Sequence, residues 1–211
     1  MKGALLIGID NYPGSARLLG CVNDATRMAS LLETNGDGSP NFQVELKNNV
    51  QTRAGVKKLV SKLLSSDLHT ALFYFSGHGC INDRGGYIVT PDFGEFDEGI
   101  LMDELLGMCN QSPIREKIII LDCCHSGAFG NIDLGKGTGA YISEGITVFT
   151  ASAKNGKAIE TGGHGLFTSL LIKALEGAAA DIAGHITAGS IYAYVDRSLG
   201  FWQQRPQFKT N

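Results

Sequence analysis

The sequence predicts an α/β fold on a mostly parallel sheet, and three observations predict it. Apolar runs of strand length alternate with segments in which apolar residues recur at helical spacing, the signature of strand–helix–strand units. At 211 residues, 43% hydrophobic and 18% charged, the chain can bury a sizeable core without staples. No internal repeat and no tract of proline, serine or like charge divides it, so residues 1–211 read as one domain.

The elements follow in order. The first strand is expected over residues 4–9, an apolar run that ends at Asp10. A helix over 24–34 carries Met28, Leu31 and Leu32 on one face, and a strand over 42–46 follows. The helix over 53–64 repeats Val56, Leu59, Val60 and Leu63, and leads to the apolar strand 71–75. Residues 87–89 read as a small hairpin arm, 102–109 as a helix, and 117–121 and 146–150 as strands. Two helices come next, over 166–175 and over 186–199, the latter with Ile191, Tyr194, Val195 and Leu199 at helical spacing. Residues 207–209, after Pro206, fit a short edge strand, where proline is tolerated.

Composition narrows the function. A net charge of −3 gives no electrostatic reason for a nucleic-acid or anionic-membrane partner, and apolar runs of five or six residues fall far short of a membrane span. Five cysteines without a CxxC pair argue against a disulfide framework and a zinc ribbon, and point to a reducing, cytoplasmic setting. The opening MKGALLIGID is too short in its apolar stretch for a secretory signal. Glycine, at 28 of 211 residues, is nearly twice the usual share of about 7%, and gathers around the polar strand ends and in residues 128–145.

Three strands end in unusual polar residues: Asp10-Asn11-Tyr12, Ser76-Gly77-His78-Gly79, and Asp122-Cys123-Cys124-His125-Ser126-Gly127. Ligands of open parallel sheets bind outside the carboxyl ends of the strands, so the three ends should converge on one crevice. If the second and third of these strands are neighbours, His78 and a cysteine of the last segment come within reach of one substrate carbonyl. That arrangement is a Cys/His nucleophilic site.

The segments FYFSGHG (73–79) and IIILDCCHSG (118–127), which set His78 and Cys124 46 positions apart, resemble the caspase-like cysteine peptidases. The likeness is closer to metacaspases and their bacterial relatives than to animal caspases, because DCCHSG stands where the animal enzymes carry QAC followed by Arg, Gln or Gly. It continues through GIDNY (8–12), LGCVNDA (19–25), ASAKNGKAIE (151–160), HGLFTSLL (164–171) and RPQF (205–208), nearly the whole chain. The resemblance implies a three-layer sandwich with helices on both faces of the sheet. It also implies a large-subunit-like portion over residues 1–127, a glycine-rich connecting loop over 128–145 and a small-subunit-like portion over 146–211.

Carried over residue by residue, the resemblance implies Cys124 as nucleophile, because it directly precedes His-Ser-Gly, with Cys123 pointing to the opposite side. His78 would assist thiol deprotonation and protonate the leaving amine, and the N–H groups of Gly79 and Cys124 would receive the oxyanion. Glycine at 77 and 79 would let the backbone approach the substrate without a Cβ. Asp24 and Asp122 would line the pocket for the substrate residue before the cut (P1), with Cys21 and Ser76 beside them. Neither LGCVNDA nor DCCHSG contains arginine. Two carboxylates favour a cationic side chain, so cleavage after Arg or Lys is expected, and Lys136 is the candidate for self-cleavage.

Some relatives need calcium; the acids available here are Asp83, Asp92, Glu95, Asp97 and Glu98, foremost Asp92 and Asp97, on a stretch shorter than in many of those enzymes and without an EF-hand loop. No cofactor is otherwise required. Zinc at Cys123, Cys124 and His125 is disfavoured because consecutive residues do not converge tetrahedrally. Residues 130–137 match G-x-x-x-x-G-K but place Gly137 where a phosphate loop needs Ser or Thr. Expected partners are proteins presenting Arg or Lys; a chain that begins at its first strand would rely for recruitment on a separate regulatory partner or on a further segment of a longer chain. Two rivals remain: a catalytically silent interaction module, and a regulator that processes a single partner. Monomer and dimer stay open.

Overall fold

The computed structural model describes residues 1–95, 97–123, 141–151, 160–161, 164–199 and 206–211. The chain runs β1 (Lys2–Gly8), α1 (Cys21–Glu33), β2 (Gln43–Asn48), α2 (Arg53–Leu64), β3 (Thr70–Ser76), β4 (Gly79–Asn82), β5 (Gly85–Gly94), β6 (Asp97–Leu101), α3 (Met102–Gln111), β7 (Glu116–Asp122) and β8 (Ile146–Thr150). It closes with β9 (Glu160–Thr161), β10 (His164–Gly165), α4 (Leu166–Lys173), α5 (Ala188–Leu199) and β11 (Gln207–Thr210). Six strands form the central sheet in the order β11-β8-β7-β3-β1-β2, parallel throughout except for β11 against β8.

Side chains that alternate along each strand divide the core into two layers. Phe73 and Phe75 of β3 pack with Val56, Val60 and Leu64 of α2 and Leu105 and Leu106 of α3. Leu72 and Tyr74 face the other way, against Met28 of α1, Phe167 and Leu171 of α4 and Val195 of α5. The result is the three-layer sandwich. Each large apolar side chain so buried contributes about 1.5–3 kcal/mol. Among the described residues no helix is long and apolar enough to cross a membrane.

The order of the strands positions the site. β1 lies between β2 and β3, so the chain leaves β1 in one direction through α1 and returns on its other side through α2. The topological switch point therefore falls between β1 and β3, and the crevice opens at their carboxyl ends.

Several element boundaries differ from the sequence expectation for physical reasons. Helix α1 begins at Cys21, three residues before Asp24, because the Asp10 carboxylate caps it from outside, accepting the Cys21 N–H at 2.9 Å and the Val22 N–H at 3.3 Å. Regular helix in α4 ends at Lys173 and widens into a π-turn over Ala174–Ala178, where Gly177 adopts φ 116. Helix α5 starts at Ala188 and not 186: the Ser190 N–H donates to Thr187 Oγ1 at 3.1 Å and the Thr187 N–H to Ser190 Oγ at 3.0 Å, a reciprocal cap. The small hairpin expected over 87–89 belongs to a separate antiparallel sheet, β4-β5-β6. It is joined to α2 through Arg53, whose backbone N–H donates to Asp92 at 3.0 Å and whose guanidinium pairs with Asp97.

Candidate active site

Three strand ends are brought into one row by register. Gly8 of β1 pairs with Ser76 of β3, and Ser76 pairs with Asp122 of β7, so the polar segments that follow leave the sheet side by side. The ladder continues one step beyond: the Ile9 N–H donates to the Ser76 carbonyl at 3.0 Å and the Gly77 N–H to the Asp122 carbonyl at 3.3 Å. Gly8 is needed for close approach. A Cβ there would lie 2.3 Å from the Cys21 carbonyl oxygen, so only glycine lets the first turn of α1 rest on the end of β1. That contact brings α1, with Cys21 and Asp24, over the row.

The two acids converge. Ser76 and Asp24 are each 1% exposed and Asp122 8%. The Gly165 N–H donates to Asp24 Oδ2 at 3.1 Å, and the Thr168 hydroxyl donates to Asp122 Oδ2 at 2.6 Å. With the Thr168 proton committed to that carboxylate, the Tyr74 hydroxyl, 2.7 Å from Thr168 Oγ1, must be the donor in their bond. A Cβ built on Gly165 would lie 2.8 Å from Asp122 Oδ2 and 3.3 Å from Asp24 Oδ2, so both carboxylates border one point. Burial pushes the Asp122 carboxyl up to about 6, and the neighbouring Asp24 charge adds to this, while the Thr168 hydrogen bonds oppose it. Burial also pushes the Cys21 thiol far above its ordinary value despite a hydrogen bond with Ser76, so Cys21 is a neutral wall of this cluster.

His78 leaves β3 two residues past its end and is held by the loop after β1. Its Nε2 lies 2.6 Å from the Ala16 carbonyl oxygen, an acceptor only, so in the neutral ring Nε2 carries the proton and Nδ1 presents its lone pair. The Tyr12 ring meets the imidazole edge-to-face at 4.5 Å between centroids. The Tyr12 hydroxyl accepts the His78 N–H at 3.0 Å and donates to the Val89 carbonyl at 3.0 Å, which ties the histidine to β5 as well. The Val89 N–H in turn donates to the His78 carbonyl at 2.9 Å. This makes Gly79 and Ile88 the non-hydrogen-bonded pair of the β4–β5 ladder, so the Gly79 N–H points away from β5.

Of the residues singled out in the sequence, Asp24, Asp122, Ser76 and Cys21 meet in one buried cluster, and His78 and Gly79 stand at the same edge of the sheet. Cys124, Lys136 and the loop over 128–140 lie outside the described residues. Cys123 is buried on the α2–α3 side, packed in the layer that holds Phe75 and Leu121. Gly77 has another reason than approach to substrate: a Cβ there would lie 2.6 Å from the Tyr12 hydroxyl oxygen and 2.8 Å from the Phe75 ring. Asp92 and Asp97 do not fit a calcium site. Asp92 accepts the Arg53 N–H and the Thr90 hydroxyl, and Asp97 pairs with the Arg53 guanidinium, so a cation already occupies that corner. Among the described residues no three acidic, histidine or cysteine side chains gather to hold a metal.

Sequence reasoning gave no individual role to Tyr12, the Ala16 carbonyl, Thr168 or Tyr74. Tyr12 and Thr168 lie inside the segments GIDNY and HGLFTSLL, but nothing local gives them a role.

Comparison with known proteins bears on the family and the fold. The Caspase domain family matches residues 1–211. Metacaspase-1 of Plasmodium falciparum is 33% identical over 155 residues, which cover 63% of this chain and 25% of that protein. Metacaspase-6 of Arabidopsis thaliana is 31% identical over 200 residues, covering 83% of this chain and 52% of that protein. The matched stretch thus spans between a quarter and about half of these relatives. The crystal structure of a Geobacter sulfurreducens protein shares the fold, with a TM-score of 0.69 at 18% identity over 99% of this chain and 92% of that one. A family match from the first residue to the last, on a sheet of this topology, leaves one assignment: the chain belongs to the Caspase domain family, and its sequence similarity runs to the metacaspases.

Proposed function

We propose that the chain is a cysteine endopeptidase that cuts proteins after arginine or lysine, with Cys124 as nucleophile and His78 as base. The observation that carries this reading is the 2.6 Å contact of His78 Nε2 with the Ala16 carbonyl oxygen, which in the neutral ring leaves Nδ1 as the basic nitrogen. A thiol of ordinary pKa near 8.5 is only a few per cent thiolate at neutral pH, so a neighbouring base matters.

In the proposed cycle His78 Nδ1 takes the proton from the Cys124 thiol. The sulfur attacks the scissile carbonyl carbon, and the carbonyl electron pair moves onto oxygen, where the N–H groups of Gly79 and Cys124 receive it. Loss of one such donor typically costs about 10²–10³ in rate. Collapse breaks the C–N bond, and the departing amine takes the proton from His78. Water, deprotonated by the same nitrogen, then cleaves the thioester, releasing the carboxylic acid and restoring the thiol.

The buried acid pair Asp24 and Asp122 supports a cationic P1 side chain, because two carboxylates bordering one point attract a guanidinium or ammonium group and repel aspartate. No resident cofactor enters the cycle, and calcium takes no role in it, in keeping with the Arg53 contacts of Asp92 and Asp97. Self-cleavage is assigned to Lys136.

A fluorogenic peptide panel with Arg, Lys, Ala and Asp at P1, run with calcium and with chelator, tests the reading. Cleavage after Arg and Lys in both media is expected, lost in Cys124→Ala and kept in Cys123→Ala. Faster turnover of P1-Asp, or loss of activity in Cys123→Ala alone, overturns it. Covalent labelling by an arginine-directed activated ketone separates the enzyme from a silent module, and intact mass of wild type against Cys124→Ala shows whether a nick after Lys136 is self-made.

A further inference from the structure

The acid pair does not stand alone. Both acids are anchored by the start of one helix: Gly165, the residue before α4, gives its N–H to Asp24, and Thr168 in the first turn gives its hydroxyl to Asp122. Behind Thr168 stands Tyr74, donating from the middle of β3, and both residues are fully buried at 0% exposure. A three-membered chain, phenol to hydroxyl to carboxylate, therefore runs from the core into the acid cluster.

We propose that Thr168, backed by Tyr74, is a specificity-determining positioning residue whose hydroxyl fixes Asp122 and keeps it in the anionic form that a cationic P1 side chain requires. The inference rests on the reading of Asp24 and Asp122 as the P1 pocket. A buried carboxylate beside a second one is driven toward its neutral form, and a neutral pair has no charge to offer an arginine. Hydrogen bonds to the charged form oppose that drive, and the Thr168 hydroxyl supplies one at 2.6 Å. Tyr74 strengthens it, since a hydroxyl that accepts a hydrogen bond is a better donor through its own proton. The groups facing Asp122 among the described residues are Asp24 and Cys21 from α1, Ser76 and Tyr74 from β3, and Thr168 from α4, with Asp10 one step away against Cys21. Among the described residues none of these carries a positive charge, and the Thr168 hydroxyl is a donor that favours the charged form of the carboxylate.

Thr168→Val removes the hydroxyl at nearly constant volume and keeps the backbone N–H. With a P1-Arg peptide its KM is expected to rise about two-fold at pH 7 and about ten-fold at pH 5 while kcat holds, the scale of one hydrogen bond to a charged group. The acid limb of KM against pH should move up by roughly one unit, and Thr168→Ser, which restores the hydroxyl, should return both to wild type. Tyr74→Phe should move the same limb in the same direction by a smaller amount, about two-fold in KM at pH 5. If Thr168→Val does not fold, as read by its melting curve, the Tyr74→Phe profile decides. Wild-type KM and pH profile in the folded variant, or a fall in kcat without a change in KM, overturns the proposal. A wild-type enzyme that prefers aspartate or a neutral residue at P1 instead overturns the underlying pocket reading, a failure visible before any variant is made.

Discussion

Tyr12→Phe isolates the support of His78, the proposed base, from everything else in the crevice. The ring remains, so the edge-to-face contact with His78 at 4.5 Å is kept, and only the hydroxyl is lost. That hydroxyl is buried and makes two bonds of 3.0 Å, one from the His78 N–H and one to the Val89 carbonyl. Removing it forfeits both and leaves a backbone donor and a backbone acceptor unpaired in a poorly solvated place. A net hydrogen bond is worth about 0.5–1.5 kcal/mol and an unpaired buried group costs about 1–3 kcal/mol, so a total near 2–4 kcal/mol is expected. For a domain of this size that lowers Tm by about 5–15 °C. The unbonded His78 backbone also loosens its side chain from the Ala16 carbonyl, so kcat on a P1-Arg peptide should fall about ten-fold with KM held. Scanning calorimetry and steady-state kinetics on the same preparation measure both. A melting point within about 1–2 °C of wild type together with an unchanged kcat would refute the argument that this hydroxyl holds the base.

Two further outcomes follow from the same geometry. Asp10→Ala removes the acceptor for the Cys21 and Val22 N–H groups and should cost about 1–2 kcal/mol in a denaturant titration, with KM affected more than kcat because α1 carries Asp24. Asp122→Asn should abolish cleavage after arginine yet leave the protein as stable or more stable at pH 8. With its carboxyl raised from 3.8 to about 6, the protonated form contributes stability below pH 4 that is lost as pH rises through 6, so wild type carries a cost of about 2–3 kcal/mol above that range. Denaturant midpoints for the two proteins should therefore be similar near pH 4 and diverge above pH 6, the variant being the more stable.

The sheet was legible because four of its strands are short, nearly continuous apolar runs between helical segments, β2 alternates Val44 and Leu46 with polar residues, and β11 was marked by the proline before it. The acid cluster was legible through family resemblance to segments at strand ends, which parallel register then aligned. The remainder had no local signature. A backbone carbonyl such as that of Ala16 looks the same at every position, and only the approach of His78 from 62 residues away gives it a role. Thr168 reads as one more small residue in a helix until Asp122, 46 residues earlier, is placed against it. The β4-β5-β6 arm is rich in glycine and polar residues, so the alternation that marks a strand is diluted there.

Asn49 adds a mechanical consequence. It sits just past β2 at φ 55, a left-handed backbone that asparagine tolerates better than most residues, and its side-chain oxygen accepts the N–H groups of both Asp10 and Asn11 at 2.9 and 3.0 Å. The Asp10 carbonyl in turn accepts the N–H groups of Tyr12 and Leu18, which brackets the turn that carries Ala16. The outermost strand of the sheet is thereby geared to the histidine on the far side of β1 through an unbroken train of short bonds. A lengthening of the β2–α2 connection would slacken that train, so this edge of the protein should tolerate changes of sequence far better than changes of length.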